Sequence, residues 1–305
     1  MKRTLAALLA LLLLLLMSGC SELSGLIPSG TAETDEDGKP LAAHVPEEFD
    51  PAAIPDWNGK HYVTVHNNVP YFTKAELTTE NYEYYSPLDK YGRCGVAVAC
   101  LDEANMPTGE RDRISSIHPS GWHYSEYNFI DQGLLYNRAH LIAFSLSAED
   151  LNERNLITGT RYLNAEGMLP FEESTVYYIK STGNHVMYRV TPVFRKSELV
   201  ARGVLMEAQS VEDFGKGVKF CIYCYNVQPG VGINYRTGDN WRAKDTDILE
   251  EDVEGTYVLN TNSRKFHRMT CDGVQSMNPK NRKNYTGSRA ELIEKGYEPC
   301  PICRP

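Results

Sequence analysis

Apolar residues cluster or alternate in three segments of the second half of the chain, and each segment predicts a β-strand. Residues 186–194, 200–206 and 218–225 are rich in β-branched and aromatic side chains. Gly-Asn and Pro-Gly steps, which favour turns, lie among or after these segments. We expect the three strands to belong to one sheet.

A short strand and a helix are predicted nearer the middle of the chain. Residues 133–136 predict a strand that leads into Asn137-Arg138-Ala139-His140, and residues 141–146 are apolar enough to enter the core. Pro170 suits the first turn of a helix, and residues 171–180 predict one with Val176 and Ile179 on its buried side.

The N-terminus has the pattern of an export signal. Lys2 and Arg3 precede an apolar run at residues 5–17, which is too short to span a bilayer as a stable helix. The run ends in Met17-Ser18-Gly19-Cys20, which resembles the lipobox of bacterial lipoproteins. Residues 1–19 are therefore predicted to be a signal peptide, with a lipidated Cys20 anchoring the chain to the outer face of the cell membrane. An ordinary secretory signal followed by a chance cysteine is the alternative, and it also places the chain outside the cytoplasm.

Composition divides the rest of the chain. Residues 21–53 are rich in Ser, Gly, Pro, Asp and Glu and have no apolar period, so residues 20–57 are predicted to form a disordered tether. The remaining length suffices for one α+β domain at residues 58–245 and a small module at residues 256–305.

Net charge gives a mixed indication about nucleic acid. The formal charge of -9 argues mildly against a protein that coats itself in nucleic acid, because Lys and Arg drive phosphate binding. From Thr256 onward, however, nine Lys and Arg face four Asp and Glu. Such a basic module would hold a polyanion near a catalytic centre, and an ordinary solvated charged face explains it equally well.

Histidine and amide side chains follow the predicted short strand. Asn137-Arg138-Ala139-His140 is followed at residues 152–164 by Asn-Glu-Arg-Asn-Leu-Ile-Thr-Gly-Thr-Arg-Tyr-Leu-Asn. This pattern resembles the DNA/RNA non-specific endonucleases, in particular the branch of DNA-entry nucleases, over about residues 62–235. The family signature is Asp-Arg-Gly-His, so Asn137 and Ala139 depart from it. The resemblance implies an α+β fold of the ββα-metal, or His-Me finger, type with a central antiparallel sheet.

The chemistry of phosphodiester hydrolysis explains these residue types. A water must lose a proton, and the charge that develops on the phosphate and on the leaving oxygen must be neutralised. Histidine exchanges protons near neutral pH, so His140 is the candidate general base. Mg²⁺, or Mn²⁺ in its place, would neutralise the developing charge and needs few protein ligands.

The resemblance assigns the other roles. It places the metal on Asn164, gives Glu172 the metal-bound waters, and gives Asn155 a part in fixing the water and the histidine. Glu173 takes the place of Glu172 if the alignment shifts by one residue. Arg111 is the first candidate to stabilise developing charge, with Arg113 and Arg161 as alternatives. Arg138 would clamp phosphate, although a buried structural ion pair is the better default for it.

Cysteine spacing predicts a second metal site. His267 and Cys271, followed by Cys300 and Cys303, supply four ligands for a structural Zn²⁺. The segment resembles the metal domain of the Ada repair protein, which uses four cysteines. A disulfide with one thiol left over is the alternative. The spacing leaves the states of Cys94, Cys100, Cys221 and Cys224 open.

The sequence thus predicts an extracytoplasmic, metal-dependent endonuclease that cleaves without sequence specificity. The family resemblance implies that its products carry 5′-phosphate and 3′-hydroxyl ends. The choice between DNA and RNA stays open. The first alternative is a surface lipoprotein that binds nucleic acid without cleaving it. A zinc hydrolase acting through the C-terminal cluster is less favoured, because four protein ligands leave no position for a catalytic water.

Overall fold

The computed structural model describes residues 31–243, 254–269, 271–275, 277–288, 291–292 and 295–300. The chain divides into two compact units, Met1–Pro229 with Ile233–Asn240 and Gly230–Gly232 with Trp241–Pro305. The predicted signal peptide, Cys20 and Cys303 lie outside the described residues. Within the described residues, no helix is both long enough and apolar enough to cross a membrane.

A six-stranded antiparallel sheet forms the centre of the first unit. Its strands are β1 (Tyr62–Thr64), β2 (Tyr82–Tyr85), β3 (Ala97–Leu101), β6 (Val186–Val193), β7 (Gly203–Ser210) and β8 (Lys219–Tyr225). Their order across the sheet is β1-β8-β7-β6-β3-β2. The strands expected at residues 186–194 and 218–225 are confirmed. The strand expected at residues 200–206 begins at Gly203 and continues four residues further, to Ser210.

A buried ion pair explains why β7 is longer than its apolar pattern predicts. Glu207 lies inside the strand and is buried, and its carboxylate accepts hydrogen bonds from Nε and Nη2 of Arg189 on β6 at 2.8 and 3.0 Å. Each side chain supplies the charge that the other needs in the interior. A charged residue in a strand pattern is therefore compatible with a central strand when its partner lies on the neighbouring strand.

The predicted tether packs on one face of this sheet from residue 41 onward. Leu41–Ala43 and Pro51–Ala53 form 3-10 helices, and Ala42, Ala43 and Phe49 are buried. The carbonyl oxygen of Ala42 accepts a hydrogen bond from Arg189 at 3.2 Å. The prediction of disorder is thus wrong for this segment, because its few apolar residues need no core of their own when a sheet face is available.

The other face of the sheet carries the elements that build a candidate site. A two-stranded antiparallel ribbon joins β4 (Tyr136–His140) to β5 (Leu156–Thr160), with the one-turn helix α1 (Phe144–Ser147) between them. A helix follows, with a π-helical turn at Leu163–Met168 and the regular α2 at Leu169–Thr182. The helix expected at residues 171–180 is confirmed, with Ile179 fully buried and Val176 packed against the core. The short strand lies three residues later than the expected start, at Tyr136.

Short elements complete the first unit and the connection to the second. Further 3-10 turns are His66–Asn68, Glu103–Asn105 and Glu153–Asn155. β9 (Val231–Ile233) and β10 (Asn240–Arg242) form a two-stranded hairpin.

The second unit contains a four-stranded sheet in the order β13-β11-β12-β14. The strands are β11 (Glu254–Asn260), β12 (Lys265–Arg268), β13 (Arg282–Ser288) and β14 (Glu298–Pro299). A one-turn helix, α3 (Asp272–Gln275), and a 3-10 turn at Pro279–Asn281 lie between β12 and β13. Val258, Val274 and Met277 pack with the thiols of Cys271 and Cys300 in one small cluster.

Candidate active site

A cavity of about 550 Å³ opens in the first unit where β4 meets the helix that follows β5. His140, Asn164, Glu172, Arg111 and Asn137 all line it. Five residues are predicted to be catalytic. Four of them line this cavity together with the predicted metal ligand Asn164: His140, Glu172, Arg111 and Arg138. Asn155 and Arg113 are not among the lining residues.

His140 ends β4 and is buried at the cavity wall. Its Nδ1 lies 3.1 Å from Nη2 of Arg111, and since a guanidinium only donates, Nδ1 accepts. Burial, and next the positive charge of Arg111, lower the pKa of His140 to about 4. The imidazole is therefore neutral at pH 7, with its lone pair on Nδ1 and its proton on the buried Nε2.

Asn155 acts on the backbone behind His140. Its Nδ2 donates to the carbonyl oxygen of Ile142 at 2.9 Å, and its Oδ1 accepts from the amide of Ile142 at 2.9 Å. Its own carbonyl oxygen accepts from the amide of Leu141 at 2.8 Å. The side chain is fully buried, so it fixes the chain that leaves His140 and does not reach a substrate.

A π-helical turn brings Asn164 and Glu172 to the same cavity. The two residues are eight positions apart, and in a regular α-helix that spacing is about 2.2 turns, which would separate their directions by roughly 80°. In the turn Leu163–Met168 the amide of Leu169 bonds to the carbonyl of Asn164, five residues back. A π-helical turn contains more residues per revolution than an α-helical turn, so it reduces the angle between the directions of Asn164 and Glu172.

Glu172 and Asn164 have no hydrogen-bonded partner for their side chains within the described residues. Glu172 is only 8% exposed. Burial, and next the negative charge of Glu173, raise its pKa to about 8. Glu173 is exposed and does not line the cavity, so of the two candidates the geometry favours Glu172. A buried carboxyl group beside a free amide oxygen is a donor set that a hard divalent cation would satisfy.

Comparison with known proteins agrees with this geometry. Residues 72–212 match the family model described as DNA/RNA non-specific endonuclease. Those residues are a DNA/RNA non-specific endonuclease domain. A deoxyribonuclease of Streptococcus dysgalactiae subsp. equisimilis is 27% identical over 236 residues, which are 60% of this chain and 71% of that protein. The resemblance inferred from residues 137–164 is thus confirmed.

Solved structures show the same fold. Crystal structures of NucA from Streptococcus agalactiae, one with no metal bound and one with a magnesium ion bound, match at 24% identity and a TM-score of 0.55. The match covers 63% of this chain and 92% and 91% of the two NucA chains. The expected α+β fold with a central antiparallel sheet is confirmed. The match of residues 72–212 to the endonuclease family model, together with the deoxyribonuclease relative, supports phosphodiester hydrolysis by this domain.

Three arginines line the cavity of the endonuclease domain. Arg111 pairs with Asp150 at 3.2 Å, and Arg161 pairs with the exposed Asp131 at 2.8 Å. Arg138 donates to the carbonyl oxygens of Ser115 and Ile117 and stacks on Trp122. The structural ion pair expected for Arg138 is therefore wrong, since backbone carbonyls satisfy its guanidinium. Arg111 and Arg161 are thus each paired with a carboxylate, and Arg138 adds a positive charge to the cavity wall although the chain is acidic.

Asp150 is a residue of this site that the sequence reasoning missed. Its Oδ1 accepts from Nε of Arg111, and its Oδ2 accepts from the amide of Asp112 at 2.6 Å. It thereby holds Arg111 against His140. Its position just before the Asn152 to Asn155 segment was the available signal, but an acid in a loop has no pattern of its own.

The second unit brings together three of the four predicted zinc ligands. The ligand atoms of His267, Cys271 and Cys300 lie within 4.8 Å of one another, and all three residues are buried. Nδ1 of His267 is 3.5 Å from Sγ of Cys271. Among the cysteines that the structure describes, all six carry free thiols. Cys94 and Cys100 donate to backbone carbonyls, and burial raises the pKa of each to about 12.

Proposed function

We propose that this chain is an exported, Mg²⁺-dependent endonuclease that cleaves DNA, and RNA as a second substrate, without sequence specificity. The observation that carries the proposal is one cavity in which a neutral histidine, an unpaired amide, a buried carboxyl group and three arginines meet. The endonuclease domain indicates that the reaction is phosphodiester hydrolysis, and these side chains are the groups that would carry it out.

Asn164 and Glu172 would hold the metal. The amide oxygen of Asn164 is the neutral ligand, and Glu172 would hold metal-bound waters as a carboxylate. Mg²⁺ suits this sparse set because it keeps several of its own waters, and Mn²⁺ would replace it. When bound, the cation would supply Lewis-acid stabilisation of the scissile phosphate and of the leaving oxygen.

His140 would take the proton of the attacking water on Nδ1. Arg111 donates to this atom in the present structure, so the proposal requires Arg111 to turn from Nδ1 to the phosphate when substrate binds. The water oxygen then bonds to phosphorus, the bond from phosphorus to the 3′-oxygen breaks, and the 3′-oxygen takes a proton from a solvent water. The products carry 5′-phosphate and 3′-hydroxyl ends. This movement would be short, because Asp150 pairs with Arg111 and keeps it near the site.

Plasmid digestion tests the proposal. We expect the purified mature protein to nick and linearise supercoiled DNA with Mg²⁺, to lose this activity in EDTA, and to recover it with added Mg²⁺ or Mn²⁺. His140→Ala should abolish cleavage with Mg²⁺ present. His44→Ala, at an exposed histidine outside the cavity, is the matched control and should cleave normally. Retardation of nucleic acid without cleavage under every metal would favour a capture protein instead.

Anchoring through Cys20 is part of the proposal. It is supported by the signal-like residues 1–19 and the Ser18-Gly19-Cys20 step. In a bacterial host, the wild-type chain should fractionate with the membrane and take up labelled fatty acid, whereas Cys20→Ser should do neither. Equal labelling of both would contradict the assignment.

A structural Zn²⁺ in the second unit is also proposed. Its support is the cluster of His267, Cys271 and Cys300, to which Cys303 would add the fourth ligand. We expect one zinc per purified chain by elemental analysis, with loss in Cys271→Ser and retention in the control Cys100→Ser. If Cys271→Ser retains as much zinc as the wild type, the assignment is wrong.

A further inference from the structure

We propose that Tyr124 and Leu134 form a subsite for a nucleobase that has left the helical stack, so that the enzyme prefers single-stranded over duplex nucleic acid. The inference rests on the proposed nuclease function and deepens it. It concerns substrate choice at the same cavity, through side chains outside the motif that identifies the domain.

A hairpin connects this subsite to the catalytic strand. Glu126 and Leu134 form an antiparallel bridge, and the amide of Leu135 bonds to the carbonyl of Ser125 at 3.0 Å. In this register Tyr124 lies opposite Tyr136, the first residue of β4. Side chains at 124, 134 and 136 therefore point to one face, which continues along β4 to His140. The cavity is lined by both ends of this ladder, Tyr124 and Leu134 at one end and His140 at the other.

Distance places the subsite near the scissile phosphate but not on it. From Tyr136 to His140 the strand rises about 13 Å. A base at Tyr124 would thus belong to a nucleotide a short way along the strand from the cleaved bond, while Arg138 lies between the two positions on the same face.

Exposure distinguishes Tyr124 from Trp122, one of the other aromatic residues that line the cavity. Tyr124 is 71% exposed and Leu134 is 36% exposed, although both are large and apolar. The guanidinium of Arg138 lies 4.1 Å from the ring centroid of Trp122 and so covers one face of that ring. The hydroxyl of Tyr124 donates to Glu126, which restrains the ring and leaves its faces open.

The occupant follows from the chemistry of the cavity. An exposed tyrosine ring beside a leucine, in the same cavity as three arginines and the catalytic histidine, matches a base attached to a bound phosphate backbone. Base stacking on an aromatic ring tolerates any sequence, which agrees with cleavage that is not sequence specific. In a duplex each base is already stacked, so only an unpaired base can use this surface without a cost for unstacking.

Binding to the inactive His140→Ala protein with Mg²⁺ present tests the inference, with fluorescence anisotropy as the readout. The probes are a single-stranded DNA 12-mer, the same length with abasic residues throughout, and the 12-mer as a duplex. His140→Ala should bind the normal strand roughly 10-fold or more tightly than the abasic strand, because each stacked base contributes measurably to affinity. It should also bind the single strand more tightly than the duplex.

Adding Tyr124→Ala should remove most of the preference for the normal strand, and Tyr124→Phe should keep it. Tyr177→Ala is the matched control, because Tyr177 is 76% exposed on α2 but does not line the cavity. If Tyr124→Ala leaves the normal-to-abasic ratio unchanged, or the duplex binds as tightly as the single strand, the inference is wrong. Failure of the nuclease proposal would show separately, as absence of cleavage by the wild type.

Discussion

Replacing Asn155 by alanine should uncouple His140 from the backbone that holds it. The change removes two hydrogen bonds to Ile142, each 2.9 Å long, at a fully buried position. A net hydrogen bond contributes about 1 kcal/mol, and a buried group left unsatisfied costs about 1–3 kcal/mol. With both the amide and the carbonyl of Ile142 affected, we expect the free energy of unfolding to fall by about 2–5 kcal/mol.

Urea denaturation measures this loss, and Asn152→Ala is the matched control. The side chain of Asn152 accepts only the amide of Arg154, at a helix start, so its replacement should cost about 1 kcal/mol. Asn155→Asp is informative as well, because it keeps the acceptor for the amide of Ile142 and loses the donor to the carbonyl. Its free energy of unfolding should lie between those of the wild type and Asn155→Ala, or below that of Asn155→Ala if the charge of the aspartate stays unpaired.

Activity gives the second readout. At a temperature where Asn155→Ala is fully folded, kcat for plasmid cleavage should still drop, since the end of β4 is no longer fixed. If the free energy of unfolding of Asn155→Ala lies within about 0.5 kcal/mol of the wild-type value, the backbone role assigned to Asn155 is refuted. A stable variant with reduced kcat would instead indicate that Asn155 contacts the reacting groups.

Three further predictions address packing. Gly159→Ala would place a Cβ 2.6 Å from the Cβ of Ala139 and should cost about 1–3 kcal/mol, recovered in a double-mutant cycle with Ala139→Gly. Arg189→Ala leaves Glu207 buried without its cation and should cost about 3–5 kcal/mol in chemical denaturation, whereas Arg195→Ala, at an exposed arginine, should have little effect. A chain that starts at residue 58 loses Ala42, Ala43 and Phe49 from the sheet face and should melt at a lower temperature in calorimetry; an unchanged melting temperature would contradict this packing.

Local patterns sufficed where the structure depends on local periodicity. The strands at residues 186–194 and 218–225 and the helix at residues 171–180 follow from alternation and from Pro170. The pattern failed where a distant partner decides the outcome. Glu207 extends β7 because Arg189 neutralises it, and the segment from residue 41 is ordered because the sheet offers it a surface.

The residues of the candidate site also divide into those that the sequence predicts and those that depend on a distant partner. His140 could be chosen from its residue type and its place after a strand, Asn164 and Glu172 could be chosen from the family resemblance, and the structure brings all three to one cavity. Asp150 could not be chosen, since its importance lies in holding Arg111 across a loop. The carbonyl groups that accept hydrogen bonds from Arg138 could not be predicted either, because every residue has a backbone carbonyl and the sequence does not show which of them lies near Arg138.

The π-helical turn at Leu163–Met168 has a consequence for how the domain can change over time. Such a turn is equivalent to one residue inserted into an α-helix. Deleting a single residue there would let the helix return to the commoner geometry at little or no cost in folding. A deletion between Asn164 and Glu172 would leave the two residues seven positions apart, which in a regular α-helix is about 20° short of two full turns. The helix could thus lose the extra residue and still direct Asn164 and Glu172 to the same side, so variation in length at this point is tolerable both to the fold and to the facing of these two side chains.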